Sequence, residues 1–343
     1  MTQLLNTMYV QTQGTYLRLD HETIRVEVGG ESKLQVPLHH LNGLVVFGNV
    51  LLSPFLIHKF AEDGRSIVWL TNSGRFKGRL TPPTSGNVLL RRAQFAALDD
   101  LNSSLSIARN TVAGKLQNAR TTLLRSARDL KGTPEDERLR GAAEVHAEAI
   151  RRLPNARRLD EVRGLEGDAA RAYFEVFDLM IRNEDEAFRF RGRNRRPPLD
   201  ATNALLSFLY GVLRNDCHSA LESAGLDPQV GFLHALRPGR PALALDMMEE
   251  LRAPLVDRLV LTLINLRQVS PDGFIYRPGG AVELDETTRK KVVVAYQERK
   301  SVELNHPLLK SSVPTGLVPH IQARLLARHL RGDIPEYPPY LFR

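Results

Sequence analysis

Three separate segments of the chain carry carboxylates and an imidazole in a combination that suits a divalent metal. Glu166 lies in the segment RGLEG, His234 ends GFLH, and LALDMMEELR contains Asp246, Glu249 and Glu250. A neutral imidazole that joins carboxylates from distant segments is a ligand set for phosphate chemistry. The chain is also basic, with a formal net charge of +8 at pH 7, which favours a polyanionic partner. Together these features indicate chemistry on nucleic acid.

The acidic cluster also has a purely structural interpretation. Asp246, Glu249 and Glu250 stand at i, i+3 and i+4, so on a helix Asp246 would neighbour both glutamates, and like charges so placed repel each other. A dication would compensate this repulsion, and so would the nearby Arg252. Asp246 with Glu249 also fits a capping box at the start of a helix. Spacing alone therefore leaves metal binding and helix capping open.

His234 and Glu166 have two interpretations each. The turn-forming RPGRP after His234 allows the chain to reverse and bring the imidazole beside the carboxylates, although a lone histidine is usually packed or solvent-facing. Glu166 is flanked by Gly164 and Gly167, and a glycine within a helix costs about 1 kcal/mol relative to alanine. Close approach of a backbone or a ligand would explain these glycines. The alternative is an ordinary glutamate at a helix start, which the helix dipole favours.

An arginine-rich segment suits contact with a phosphate backbone. The arginine loop, FRFRGRNRRPP at 188–198, is kept out of a regular helix by Gly192 and the prolines. Its arginines are Arg189, Arg191, Arg193, Arg195 and Arg196. The acidic residues at 184–186 offer the alternative of a locally balanced surface. No base-reading motif is evident, so we expect contacts with the DNA backbone and its shape.

Length and composition indicate an ordinary globular protein. The 343 residues allow roughly two domains, and 42% hydrophobic with 25% charged residues is ample for a sizeable core. The single cysteine, Cys217, excludes an intrachain disulfide and a zinc site built from cysteines, which suits a reducing cytoplasm. The N-terminus lacks a basic leader with a long apolar core, and no segment reaches about 18 apolar residues. The sequence therefore predicts a cytoplasmic protein that is neither exported nor membrane-spanning.

The elements that must position these residues fall into two parts. Up to residue 80 the hydrophobic period is mostly two, which predicts strands of an antiparallel sheet at 16–20, 23–28, 33–37, 44–48 and 66–71, followed by a hairpin-like segment at 74–80. One helix interrupts them, with Ser53 as its N-cap. The turn-rich TPPTSG at 81–86 marks a linker. We predict an α+β protein with an N-terminal antiparallel β-domain at 1–80 and a larger all-α catalytic domain at 87–343.

Helix signals continue through the second part. Asn87 can cap a long helix that runs toward residue 130, and Thr133 predicts the start of the next one. Asp200 can cap an apolar helix that must be buried. A further helix is expected to begin near Asp246, and an amphipathic helix is expected at 285–300.

Several blocks of the sequence occur in the order in which a known family has them. The blocks are LRGLEGDAARAYF, FRFRGRNRRPPLDATNALLSFLYGVL, GFLH and LALDMMEELRAPLVDRLV, preceded by SPFLIHKFAEDGRSIVWLTNSGRFKGRL. In these blocks the chain resembles the CRISPR-associated integrase of spacer acquisition, the universal first protein of those systems, in its subtype I-C form. The resemblance covers most of the chain but not the last forty or so residues.

The resemblance implies site residues, partners and a cofactor. It implies a homodimer that joins a small second acquisition protein to bind double-stranded DNA, namely the prespacer and the CRISPR repeat. The family's metal glutamate falls on Glu166 and its histidine on His234, with Mg²⁺ or Mn²⁺ as the metal. Its last ligand is an acidic residue of the next helix, for which Glu249 is preferred, with Asp246 close by as a further catalytic residue. Glu250 is the weakest of the three.

The expected activity is the metal-dependent insertion of short DNA, the spacer, into a CRISPR array. The metal would polarise a scissile phosphate while a DNA 3′-hydroxyl attacks in line, and the same reaction with water would nick DNA. The arginine loop would hold the strands. Two alternatives remain at this point. One is a hydrolytic, structure-specific DNA endonuclease, and the other is a helical DNA-binding scaffold without chemistry, whose carboxylates only cap helices.

Overall fold

The computed structural model describes residues 7–80 and 88–342, and the chain divides into two compact units. The first unit comprises Met1–Gly86 and Leu284–Ser301, and the second comprises Asn87–Glu283 and Val302–Arg343. The predicted linker at 81–86 and the predicted helix cap Asn87 lie outside the described residues, so a domain boundary at that point stays a prediction. The first unit also includes a segment from the far end of the chain, which hydrophobic periodicity did not indicate.

Strands form most of the first unit. They are β1 (Thr7–Val10), β2 (Thr15–Asp20), β3 (Thr23–Val28), β4 (Glu31–Pro37), β5 (Gly43–Phe47), β6 (Val50–Leu52), β7 (Ser66–Leu70) and β8 (Phe76–Leu80). One sheet has the order β1-β5-β7-β8 and the other the order β4-β3-β2-β6. The strand-rich N-terminal part is as predicted.

The predicted purely antiparallel pairing is wrong, because the sheets are mixed. The pairs β2–β3, β3–β4 and β7–β8 are antiparallel, whereas β1–β5, β5–β7 and β2–β6 are parallel. Parallel strands need a crossover connection. Helix α1 (Pro54–Glu62) supplies it between β5 and β7 and returns the chain to the end of the sheet where β5 began.

Helix α1 and helix α9 (Glu286–Ser301) complete the first unit. Helix α1 begins as predicted, since the Ser53 hydroxyl accepts the N–H of Leu56 at 3.2 Å. Its buried Phe60 packs in the core formed by the inward-facing residues of the strands. In α9, Arg289 is buried and donates to the side chain of Gln11 at 3.0 Å. The predicted helix at 285–300 is therefore confirmed.

Helices form most of the second unit, in agreement with the predicted fold class. They are α2 (Val88–Asp99), α3 (Leu101–Asp129), α4 (Pro134–Arg152), α5 (Leu159–Glu175), α6 (Ala201–Ser223), α7 (Ala242–Glu249), α8 (Arg258–Asn265) and α10 (Val318–Leu330). The C-terminal part is not all-α, because two short hairpins interrupt it. Strand β9 (Phe274–Tyr276) pairs with β10 (Val282–Leu284), and β11 (Glu303–His306) pairs with β12 (Ser311–Pro314).

Local capping explains where several of these helices begin. The side chains of Thr133 and Asp200 accept backbone N–H groups in the first turns of α4 and α6, as predicted. The long helix expected to reach residue 130 is instead broken at Asp100, whose carboxylate caps α3 by accepting the N–H of Ser103 at 2.9 Å. The apolar helix α6 is largely buried, as expected.

Helix α3 lies at the centre of the second unit and positions the candidate site. Its buried face packs with α4, α5 and the segment GFLH in one hydrophobic cluster that includes Leu116, Leu165 and Leu233. Helix α7 begins at Ala242, after Pro241, and not near Asp246 as predicted. A π-helix, Arg252–Asp257, connects the region after α7 to α8. Among the described residues, no helix is both long enough and apolar enough to cross a membrane.

Candidate metal centre

Asp246 is a buried anchor for the GFLH segment. Its carboxylate accepts the backbone N–H groups of Phe232, Leu233 and His234 at 2.6, 2.9 and 2.9 Å. His234 Nδ1 lies 2.7 Å from the same carboxylate. Since an ionised carboxylate only accepts, Nδ1 is the donor, and Nε2 is the ring nitrogen that faces Glu249. Metal-binding histidines are commonly oriented by such a second carboxylate. Asp246 is therefore a residue that orients His234, and helix capping does not explain it.

Gly231 is required for the same anchor. A Cβ at this position would lie 2.6 Å from the carbonyl carbon of Ala242 and 2.8 Å from Asp246 Oδ2. Replacing Gly231 by alanine should therefore push the loop from the carboxylate and lower the free energy of unfolding by about 1–3 kcal/mol. Urea denaturation measures this loss. Gly141→Ala on α4 is the matched control, because its added Cβ meets no atom within 4 Å. Equal stability of the two variants would contradict the expected crowding.

Lys115 of α3 brings the two other predicted ligands together. Its Nζ forms ion pairs with Glu166 of α5 and with Glu249, the last residue of α7, where the distance to Oε2 is 2.7 Å. His234 Nε2 lies 3.9 Å from the other oxygen of Glu249. Helix α5 is tied to the histidine segment as well, because Arg163 Nε donates to the carbonyl of Leu233 at 2.8 Å. Side chains from three remote segments thus meet around Lys115 and Glu249.

Glu249 is an ionised carboxylate in a buried environment. Its side chain is 3% exposed, and Arg252 contacts Oε1 at 2.9 Å. Burial by itself would raise the pKa of Glu249, but the charges of Arg252, Lys115 and His234 lower it to about 2. Oε2 is buried and has no hydrogen bond of good geometry, so its contact with Lys115 is a charge contact. Such an oxygen could accept a metal cation in place of the ammonium.

The donor set fits a hard divalent cation, provided that the Lys115 side chain leaves its place between the two carboxylates. Within residues 7–80 and 88–342, no three His, Cys, Asp or Glu side chains lie close enough to hold a metal as they stand. The physical reason is that the ammonium of Lys115 stands between Glu166 and Glu249. Two carboxylates and one imidazole suit Mg²⁺ or Mn²⁺, whereas softer metals prefer thiolates. A metal ion at this position would take the place of the Lys115 ammonium.

Glu250 belongs to a separate cluster. Its carboxylate accepts the hydroxyl of Tyr337 and the N–H of Tyr340, both at 2.7 Å, and the side-chain amide of Gln322 at 3.0 Å. Burial raises the pKa of Glu250 to about 8, against the opposing effect of these donors. Because all these partners come from the C-terminal part of the chain, Glu250 is not placed with the metal ligands.

A buried aromatic cluster supports the site from the other side of Arg252. The guanidinium of Arg252 lies 4.8 Å from the ring centre of Tyr210. The hydroxyls of Tyr210 and Tyr173 donate to Asp257 at 2.5 and 3.0 Å. Burial raises the pKa of Asp257 to about 6. The π-helix contains both Arg252 and Asp257 and brings them to one pocket together with Glu249. Sequence reasoning missed this cluster because its members share no recognisable spacing.

The structure changes the interpretation of the glycines beside Glu166. Glu166 lies within α5, which starts at Leu159, so it is not a helix-start glutamate. Gly164 and Gly167 are exposed, and an added Cβ at either position would meet no atom within 4 Å. Close approach of the protein's own backbone therefore does not explain them. Their effect is to leave the helix surface on both sides of Glu166 bare.

The arginine loop divides into inward-facing and outward-facing side chains. Arg193 donates to Asn203 Oδ1 at 2.6 Å and to Ser207 Oγ at 3.1 Å, so it fastens the loop to α6. Arg189 and Arg191 pair with acidic neighbours, including a 2.6 Å contact between Arg191 and Glu186, as the balanced-surface alternative expected. The exposed pair, Arg195 and Arg196, remains for a partner.

Comparison with known proteins gives a consistent family. Residues 8–298 match the family described as CRISPR associated protein Cas1. The chain is 54% identical over 340 residues to the CRISPR-associated endonuclease Cas1 1 of Moorella thermoacetica, covering 99% of each protein. It is 48% identical over 343 residues to the protein of the same name from Chlorobaculum tepidum, covering 100% of each.

Solved structures share the fold. A Cas1 protein from Thermotoga maritima superposes with a TM-score of 0.80 at 24% identity, over 95% of this chain and 97% of that one. A casposase bound to its integration product gives a TM-score of 0.84 at 21% identity, over 98% and 94% of the two chains. At these identities the likeness establishes the architecture, and the chemistry must be argued from the site.

Proposed function

Since the chain belongs to the Cas1 family of CRISPR-associated endonucleases, we propose that it inserts short DNA into a CRISPR array by joining a DNA 3′-hydroxyl to a strand of the repeat. The observation that carries this proposal is the convergence of Glu166, His234 and Glu249. Lys115 holds the two carboxylates on one ammonium, and His234 Nε2 lies 3.9 Å from Glu249. That convergence also speaks against a scaffold whose carboxylates only cap helices.

We assign Glu166, His234 and Glu249 as the ligands of Mg²⁺ or Mn²⁺. When bound, such an ion would polarise the scissile phosphate and stabilise the charge that develops during in-line attack. Asp246 keeps the proton of His234 on Nδ1 and so presents Nε2 to the ligand position. Arg252 contacts Glu249 Oε1 at 2.9 Å, while Lys115 contacts Oε2, and the two contacts fix the carboxylate against rotation.

DNA contact is assigned to the exposed arginines of the arginine loop. Arg195 and Arg196 are exposed, whereas Arg193 holds the loop to α6. The loop follows α5 in sequence, and α5 carries Glu166 between two bare glycine positions. A DNA backbone can approach such a surface without displacing side chains. We therefore expect double-stranded DNA, both prespacer and repeat, to lie across α5 and the arginine loop.

Replacing Arg195 and Arg196 together by glutamine should weaken DNA binding and reduce its salt dependence. Each phosphate contact that is lost should lower the slope of log K against log salt by about 0.9, so the pair should lower it by up to about 2. Fluorescence anisotropy of labelled duplex at several salt concentrations measures the slope. Arg189 with Arg191, which already pair with acids, form the control. An unchanged slope in the Arg195 and Arg196 double variant would exclude this pair as phosphate ligands.

The proposed partners are a second copy of the chain and a small second acquisition protein. Structural neighbours named as Cas6-RT-Cas1–Cas2 complexes support the second partner, since Cas1 is assembled with Cas2 in them. The homodimer, the cytoplasmic location and the subtype I-C assignment rest on the sequence and remain predictions.

A strand-transfer assay tests the proposed function. Labelled duplex with free 3′-hydroxyls is incubated with supercoiled plasmid that carries the CRISPR repeat, in the presence of Mn²⁺ or Mg²⁺ and the second acquisition protein. An integrase leaves label covalently joined to the plasmid. A protein that only nicks the plasmid, with no label incorporated, would be the hydrolytic endonuclease instead. Blocking the 3′-hydroxyl is the control, because it abolishes transfer while leaving hydrolysis intact.

A further inference from the structure

The C-terminal end of the chain returns to the region of the candidate metal centre. Beyond α10, residues Tyr337–Phe342, here named the C-terminal strap, run without helix or strand. Tyr337 and Tyr340 are nevertheless only 3% and 4% exposed. The other four residues of the strap are half-buried, so the segment packs on the protein through these two tyrosines and is not a solvated tail.

Two asparagines of α3 hold the strap through its backbone. Asn110 Nδ2 donates to the carbonyl of Tyr337 at 3.0 Å, and Asn118 Nδ2 donates to the carbonyl of Tyr340 at 2.8 Å. Asn118 Oδ1 accepts the N–H of Phe342 at 2.7 Å. Backbone groups of an irregular segment must find partners when they are buried, and here one helix supplies them. The strap is therefore fixed in register along α3.

The strap also holds the residue next to Glu249. The Tyr337 hydroxyl and the Tyr340 N–H both donate to the Glu250 carboxylate at 2.7 Å. Asn118 Nδ2 donates to the backbone carbonyl of Glu250 at 2.7 Å. Strap, α3 and the end of α7 are thus joined by hydrogen bonds at one residue, which is adjacent to a proposed metal ligand.

Packing at Gly114 is equally close. A Cβ at Gly114 would lie 2.8 Å from Pro339 Cβ and 3.1 Å from Glu250 Cγ. Gly114 directly precedes Lys115, and Glu250 directly follows Glu249. The strap therefore packs on the backbone next to both members of the Lys115–Glu249 ion pair. Farther along, the Phe342 ring lies 4.4 Å from the guanidinium of Arg125 and 4.8 Å from that of Arg258. These contacts secure the end of the strap.

We propose that the C-terminal strap is a positioning element of the metal centre, which holds Glu249 opposite Lys115 and Glu166 by fixing Glu250 to α3. This inference rests on the proposed function for its effect on catalysis, although the fixing of the backbone does not. Metal ligands that are held from a neighbouring layer bind more tightly than loosely held ones, because less order must be created on binding.

Full-length Gly114→Ala tests the proposal through a change that ordinarily favours a helix. Alanine has the higher helix propensity, so at a helix position with open space this change would be expected to stabilise the protein. With the strap, the added methyl separates Pro339 and Glu250 from α3. We expect amide hydrogen exchange in residues 246–252 to become about tenfold faster and Mn²⁺ binding by calorimetry to become about tenfold weaker. The kcat of strand transfer should fall, while the KM for DNA stays unchanged. Gly141→Ala, with open space around its Cβ, should show none of these effects.

Tyr337→Phe provides a second variant that keeps the packing and removes only the hydroxyl bound to Glu250. It should shift exchange and Mn²⁺ affinity in the same direction as Gly114→Ala, whereas Tyr276→Phe, at a 58% exposed position, should not. Wild-type exchange rates in residues 246–252 of folded Tyr337→Phe would overturn the proposal, whether or not Gly114→Ala folds. If the wild-type protein binds no Mn²⁺, the proposed metal centre is wrong. The amide exchange rates of residues 246–252 in Tyr337→Phe still show whether the strap holds this segment.

Discussion

Replacing Glu249 by glutamine should lower the rate of DNA strand transfer by about a thousandfold. Glutamine has nearly the same shape, but it lacks the charge that the site is built around. Lys115, Arg252 and His234 all face the Glu249 carboxylate. Its low pKa of about 2 means that the carboxylate is ionised at the near-neutral pH of a strand-transfer assay. A plasmid strand-transfer assay with saturating Mn²⁺ measures the loss.

DNA binding distinguishes a catalytic loss from a loss of structure. The affinity of the Glu249→Gln variant for labelled duplex should remain within a few-fold of the wild type, since DNA contact is assigned to other residues. Glu144→Gln, on the exposed surface of α4 and paired with Arg151 at 2.7 Å, is the matched charge-removing control and should retain full transfer. Folded Glu249→Gln that transfers strands within tenfold of the wild-type rate would remove Glu249 from the list of ligands.

Replacing Lys115 by methionine should have opposite effects on the metal-free and the metal-bound protein. Without metal, the variant leaves two carboxylates without their shared ammonium, and removal of one partner of a buried ion pair costs about 3 kcal/mol or more. With metal, the ion no longer competes with the ammonium for Glu166 and Glu249. We therefore expect a lower Tm in EDTA, and a larger rise in Tm on addition of Mn²⁺ than the wild type shows.

The matched control for this experiment is Lys131→Met, which removes an exposed lysine just beyond the end of the same helix. Its Tm in EDTA and its response to Mn²⁺ should equal those of the wild type. Differential scanning fluorimetry with a Mn²⁺ titration gives both quantities for all three proteins. A Mn²⁺-induced rise in Tm that is smaller for Lys115→Met than for wild type would mean that Lys115 supports the metal ligands instead of occupying their place.

Features that depend on a few neighbouring residues could be predicted from the sequence. Ser53, Thr133 and Asp200 each accept a backbone N–H three residues later, and such caps need no tertiary contact. Parallel pairing could not be predicted, because parallel and antiparallel strands share the same side-chain period. The start of α7 was misplaced because Asp246 looks like a cap, while its carboxylate is in fact bound to a loop.

For the candidate site, the sequence identified the residue types and their segments, and the family resemblance gave them their order. The sequence did not decide whether Asp246 or Glu249 is the third metal ligand, since the two residues lie one turn apart on the same helix. Only the fold shows that three backbone N–H groups and the imidazole already occupy Asp246. Lys115 could not be found from spacing, because its relation to Glu166 and Glu249 arises from the packing of α3 against α5 and α7.

A crystal of the protein soaked in Mn²⁺, with anomalous scattering to locate the ion, tests the proposed metal centre most directly. We predict one strong peak bonded to Glu166, to His234 Nε2 and to Glu249 at about 2.0–2.3 Å. Lys115 should have moved away from the carboxylates, and Asp246 should remain on Nδ1 of His234. A peak bonded to Asp246 in place of Glu249, or no peak at this position while Lys115 remains between the two glutamates, would contradict the proposed metal centre.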